Sequence, residues 1–217
     1  MSATDKANIL QAGENTWNFH GGIKLPGHKD MSTQKPISRM PSSERYVIPL
    51  NQHMGEAGEI LVRSGDSVLK GQKLSVPQGL ISATVHSPVS GNVAEIVEHA
   101  FPHPSGLAGT CIIIENDHKE EWVQRKPIAD NYVNTSSHDL RSIIRDAGIV
   151  GLGGATFPAA VKQTEVGIET LILNGVECEP YISCDDMLMR ERADQIVKGA
   201  KIIAYIIKAK QCIIAIE

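Results

Sequence analysis

Residues 58–76 read GEILVRSGDSVLKGQKLSV, and residues 85–96 read VHSPVSGNVAEI. Each is a chain of short apolar runs cut by turn-forming groups: SGD at 64–66, KG at 70–71 and SPVSG at 87–91. Runs this short, punctuated this often, predict several brief strands closing into a small barrel or sandwich. Outward from them, YVIPL at 46–50 and TCIIIEN at 110–116 supply two more strands. Aromatic residues make up only 4% of the chain, so the core of such a domain rests on Val, Ile, Leu and Ala.

The run GD-x-V-x-x-G-Q-x-L at 65–74 and the run SP-x-x-G-x-V at 87–93 resemble the barrel-sandwich hybrid of lipoyl and biotinyl carrier domains. Those carriers attach their cofactor to a lysine on the hairpin between the two runs. Here that interval, SVPQGLISATVH at 75–86, holds no lysine. The expectation is a carrier-type fold without a swinging arm, used for docking. Before it, residues 1–43 are polar and carry Gly21, Gly22, Pro26, Gly27, Pro36 and Pro41 too closely spaced for a long helix. They read as an arm, with HGGIKLPGHKD at 20–30 as a strap, or else as a disordered tail.

After a charged linker at 119–135 the apolar period becomes helical. Ser136 and Asp139 form a capping-box-like start; Leu140, Ile143, Ile144 and Ala147 then share a face, and Gly148 stops the helix. GLGGATFP at 151–158 follows, then a helix from Pro158 to about Val166, the strand ETLILN at 169–174, a long helix at roughly 184–208 and a last apolar run, QCIIAIE. Alternating strand and helix predicts parallel strands. Two strands cover too little of such a sheet, so the chain is expected to be a piece of a longer protein.

The chemistry-bearing segments are GLGGATFP and NGVECEP at 174–180. Gly151, Gly153 and Gly154 permit close backbone approach, and the start of a helix offers free N–H groups to an anion. Lys162, one turn in, points back toward the same place because helical side chains lean N-terminally. Neither a Walker A loop nor a strict GxGxxG is present, so a phosphate loop and a plain structural turn both remain open. Asn174 closes the strand at its C-terminal end, where open α/β sheets bind ligands. Glu177 and Glu179 are placed to accept hydrogen bonds from a flavin or a ribose, with a metal as the lesser alternative; Asp185 and Asp186 read as helix-start charges.

Composition narrows the field further. At 217 residues with a net charge of -4 and a pI near 6.1, the chain lacks the basic footprint of a nucleic-acid binder. Its apolar runs are too short to span a bilayer, and its first residues make no secretory signal, which reads as cytoplasmic. Cys111, Cys178, Cys184 and Cys212 form no CxxC pair and no cluster run. His99 and His103 are spaced for chelation only on a helix, which Pro102 and Pro104 forbid.

From HGGIKLPGHKD through the barrel to GLGGATFP and NGVECEPYISCDDMLM, the chain resembles the C subunit of the Rnf/Rsx electron transport complex, a bacterial membrane-associated ferredoxin:NAD oxidoreductase. That subunit is similar to the flavin subunit of respiratory complex I, whose glycine loop and NxDExEP segment hold FMN and NADH. The resemblance implies that Gly151, Gly153, Gly154, Lys162, Asn174 and Glu177 contact FMN and that Phe157 and Glu179 face NAD(H). Leu152, Thr156 and Val176 stand where the respiratory pattern has arginine, glycine and aspartate. It further implies two 4Fe-4S clusters on a later domain, other subunits of the complex as partners, and a peripheral place on the cytoplasmic face of the inner membrane. The expected architecture is a multidomain α and β chain: an arm at 1–43, a barrel-sandwich hybrid at 44–118, a linker, and part of a Rossmann-like α/β domain with parallel strands at 136–217. The rival expectation is a non-enzymatic docking module whose glycine loop is only a turn.

Overall fold

The computed structural model describes residues 20–21, 23, 25–103, 105–128, 131–152, 154–163 and 167–216. In chain order the elements are α1 (Lys29–Ser32), β1 (Arg45–Pro49), β2 (Glu59–Ile60), β3 (Ser67–Val68), β4 (Ser75–Val76), β5 (Gly91–Ala100), β6 (Ala108–Asn116), α2 (Ser137–Asp146), α3 (Ala159–Lys162), β7 (Thr170–Gly175), α4 (Cys184–Glu191), α5 (Ala193–Ile207) and β8 (Gln211–Ile216). They divide between two compact units, one of Met40–Gln163 and one that joins Met1–Arg39 to Thr164–Glu217.

In the first unit, β1, β6, β5 and β3 form an antiparallel sheet in that order, and β2 pairs with β4. The two turn-rich runs meet directly. Two bonds join them at one turn, Gly65 N–H to Val93 O at 2.7 Å and Val93 N–H to Asp66 O at 2.8 Å; at the next, Gly71 donates to Ser87 O at 2.7 Å and Ser87 to Gln72 O at 2.8 Å. Each turn therefore fixes the register of a strand in the other run. Leu74, Val68, Val93, Ile112 and Ile114 fill the core, with Tyr46 only packed against its margin. Aliphatic residues do this work, as the low aromatic content requires, and truncating a fully buried one such as Leu74 to Ala costs about 3 kcal/mol.

The barrel hairpin that lacks the carrier lysine holds the chain's own helix α2. Arg145 donates from Nη2 to Gly79 O, Lys73 Nζ lies 2.8 Å from Asp146 Oδ2, and Thr84 Oγ1 donates to Arg145 O at 3.4 Å. Gly148, at φ 69, is obligatory there, since a Cβ would lie 2.2 Å from Thr84 O. Ser136 caps α2 as expected: its hydroxyl accepts from Asp139 N at 3.0 Å and donates to Asp139 Oδ2 at 2.8 Å. The expected apolar face is narrower than four residues. Leu140 and Ile144 are buried, but Ile143 is 40% exposed and Ala147 is exposed, because the helix rests on the barrel along one i, i+4 stripe.

In the second unit β7 and β8 run parallel, Thr170 opposite Gln211 through Gly175 opposite Ile216. The single long helix expected between them is two. Arg192, at φ −131 and ψ 26, leaves the helical region, ends α4 and begins α5. The strap residues lie on this unit: Tyr181 N–H donates to Gly27 O at 2.7 Å, and the His28 and Tyr181 rings stack at 4.9 Å. Among the described residues, no helix is long and apolar enough to cross a membrane.

Candidate functional site

The glycine loop is a closed excursion from the first unit. Gly151 N–H donates to Phe157 O at 2.9 Å and Ala159 N–H to Ile149 O at 2.9 Å, so the chain leaves and returns across one bridge between Val150 and Pro158. The helix expected from Pro158 to about Val166 is a single turn. Pro158 caps it at φ −56, ψ 120, and Gln163 is already non-helical; residues 164–166 lie outside the described residues. One turn aligns few peptide dipoles, so the anion attraction expected from a helix start is slight here. The positive charge comes from Lys162 instead. Its Nζ sits 5.4 Å from the Phe157 ring centroid and within 3.9 Å of where a Cβ on Gly151 would stand. The lysine does swing back over the loop.

Gly153 lies outside the described residues. Gly154, at φ 143, has nothing within 4 Å of its absent Cβ, so its backbone faces open space. Thr156, which stands where the respiratory pattern has glycine, adopts φ 47. A β-branched residue in that left-handed region costs on the order of 1–2 kcal/mol, and the bond from Met54 N–H to Thr156 O at 3.2 Å helps to hold it.

In the second unit, Asn174 lies near the end of β7 and its Oδ1 accepts from Val176 N at 3.0 Å, an Asx turn that shapes NGVECEP. Glu177, only 9% exposed, turns inward. Its Oε1 accepts from Asp185 N at 2.9 Å and Asp186 N at 3.1 Å, and so caps α4, whose own N-cap residue Ser183 makes no side-chain bond. Sequence reading missed this cap, because the carboxylate lies several residues upstream of the helix and outside the S/T-x-x-E pattern. Oε2 remains, 3.8 Å from Cys184 Sγ. Glu179 is exposed.

One ligand atom each from Glu177, Cys184 and Asp185 lies within 4.8 Å of the others. The cysteine is Cys184 rather than Cys178, and both are exposed. Partial desolvation, followed by the charges of Glu177 and Asp185, raises the Cys184 thiol above its usual range, which opposes the thiolate a metal would need. Desolvation and Glu177 likewise raise the Asp185 carboxyl. His99 and His103 do not converge: His99 bonds its neighbour Ala100 O and His103 bonds Ser105 Oγ.

Gly151, Gly154, Phe157 and Lys162 thus share the unit of Met40–Gln163, whereas Asn174, Glu177 and Glu179 belong to the other.

Comparison with known proteins finds two domain matches along the chain. Residues 17–119 match the RnfC barrel sandwich hybrid domain, and residues 144–217 match the Nuo51 FMN-binding domain. The chain is 46% identical over 203 residues to the C subunit of the ion-translocating oxidoreductase complex of Haemophilus influenzae, covering 93% of this chain and 25% of that protein. It is 46% identical over 203 residues to the same component from Serratia proteamaculans, 93% and 29%, and 45% identical over 202 residues to that of Pseudomonas aeruginosa, 92% and 26%. The chain therefore spans a quarter to under a third of these relatives.

Proposed function

Because this chain is a homologue of the C subunit of ion-translocating oxidoreductase complexes, matching it over 93% of its own length, we propose that it contributes to the FMN and NAD(H) site of a membrane-associated electron transport complex. In this reading residues 44–118 are the docking barrel and 136–217 carry the cofactor residues, a division by function rather than by compactness. In the same reading Gly151, Gly153, Gly154, Lys162, Asn174 and Glu177 contact FMN, and Phe157 and Glu179 meet the nicotinamide nucleotide. Lys162 neutralises phosphate charge as a movable point cation. The Asn174 amide accepts or donates at a ring edge, and Glu177 Oε2, the oxygen that does not cap α4, accepts there. FMN, when bound, supplies the exchange between two-electron hydride chemistry and single-electron transfer.

The observation that carries the proposal is the fit of the loop. Lys162 folds back over Gly151, and the backbone of Gly154 stands bare where a Cβ would fill open space. Beyond this chain, the proposed assembly includes two 4Fe-4S clusters, partner subunits that anchor it peripherally on the cytoplasmic face of the inner membrane, and ferredoxin or another electron acceptor.

FMN titration separates this from the docking-module reading. The 217-residue chain binds FMN more weakly than about 10 µM. Lys162→Ala weakens it about tenfold further, by loss of a charge-assisted contact. Gly151→Ala does the same with an unchanged melting temperature, because a Cβ there meets only ordinary contacts, the nearest at 3.8 Å. FMN binding indifferent to both substitutions contradicts the proposal.

A further inference from the structure

The strap is fastened by its main chain and leaves its side chains outside. Gly27 O accepts from Tyr181 N–H at 2.7 Å, and Ile37 N–H donates to Glu191 Oε1 at 2.9 Å, all within one compact unit. Between these two ties the single turn of α1 closes on itself: the backbone N–H and the hydroxyl of Thr33 both donate to Lys29 O, at 3.0 and 2.8 Å. No residue of α1 is buried.

Held in this way, the segment gives its large apolar side chains to solvent. Ile23, Leu25, Met31 and Ile37 are 89, 63, 63 and 44% exposed. Single exposed apolar residues are ordinary, but four within residues 23–37, on a backbone fixed elsewhere, mark an interaction surface. Cations stand among them. Residues 25–39 carry Lys29, Lys35 and Arg39 against Asp30 alone, on a chain whose net charge is -4. The Lys29 charge reaches the Asp185 carboxyl, whereas Lys35 and Arg39 are exposed and make no ion pair among the described residues.

Charge complementarity selects the occupant. An anionic lipid surface offers phosphates to the cations and an acyl boundary to the aliphatic groups at one place, which is how amphipathic segments lie in a bilayer interface. The stems of Lys35 and Arg39 reach between the two levels. A protein interface concentrates its energy in a few packed anchors, and the strap's apolar side chains are instead set singly between polar residues. We propose that the strap, from Leu25 to Arg39, rests on the headgroups of an anionic bilayer. The inference rests on the membrane association proposed above, and adds a direct lipid contact to anchoring through partner subunits.

Co-sedimentation of the whole chain with vesicles tests it. The arms are phosphatidylcholine alone, phosphatidylcholine with about 30% phosphatidylglycerol, and the anionic vesicles again in about 0.5 M salt. The chain is expected to bind anionic vesicles at least about tenfold more tightly than neutral ones and to lose that preference in salt. Lys35→Gln combined with Arg39→Gln lowers the partition coefficient about tenfold, as does Leu25→Ser combined with Met31→Ser, with unchanged melting temperatures because all four side chains are exposed. Arg63→Gln combined with Lys126→Gln removes the same charge from exposed barrel positions and leaves binding as it was. Equal binding to neutral and anionic vesicles, no binding to either, or an equal loss in the barrel variant overturns the proposal. Strap variants that bind vesicles normally but no longer associate with the other subunits overturn it in favour of a protein face. FMN titration of the same variants reads the flavin site separately, so a failure of lipid binding is distinguishable from a failure of the flavin reading.

Discussion

His86 stands half-buried beside the junction of the barrel hairpin with α2. Burial, and then the charge of Lys73, hold its ring below the ordinary histidine value of 6.5, while Asp146 pulls weakly the other way. The folded state thus binds this proton less readily than the unfolded chain. Its contribution is full above about pH 6.5 and is lost as pH falls through the lower folded value. Denaturation midpoints measured from about pH 7.5 down to pH 5 should fall with acid, and His86→Gln should flatten that fall; an unchanged slope contradicts the assignment. At this scale the sequence is legible where chemistry is local. Ser136 pairs with Asp139 as its spacing predicts, and Asn174 turns the chain out of its strand. Glu177 is not legible, because two amides at the start of α4 claim an oxygen that reads, in isolation, as a ligand group. Thr156 hides its left-handed φ because no residue type announces it.

Turn chemistry places the elements of the barrel well and their lengths poorly. SGD leads into β3, KG follows it and SPVSG leads into β5, yet β2, β3 and β4 keep only two paired residues each. Pairing length is set by the partner strand, which local pattern does not contain. Likewise α4 and α5 break at Arg192 without a proline or glycine, and α3 stops after one turn. The clearest test at this scale is α2, which carries the chain into the glycine loop. Ser136→Ala should cost about 1 kcal/mol and leave the loop in place. Gly148→Ala should cost roughly 2 kcal/mol or more, since it meets both an unfavourable φ and the Thr84 carbonyl, and should also weaken FMN by displacing the loop. Equal stability losses in chemical denaturation of the two variants contradict this picture of the helix as fastened at its C-terminal end.

At the scale of the whole chain, the fold class reads from the sequence: an antiparallel carrier-type barrel and a parallel strand pair, both present. The compact units are less legible. The sequence changes period near residue 136, but α2 and the glycine loop pack with the barrel, because Lys73, Gly79 and Thr84 grip Arg145 and Asp146 across the chain. A hairpin that in carriers would hold a cofactor here holds the helix leading to the proposed flavin loop. If the proposed loop takes the flavin phosphate, residue-resolved NMR with FMN raised to millimolar concentration will register it at the loop amides. Saturable shifts are expected at Gly151, Gly154 and Lys162, with a midpoint that rises about tenfold in Lys162→Ala, and Asn174 and Glu177 read the second set independently. Loop amides that stay still as FMN is raised would contradict it.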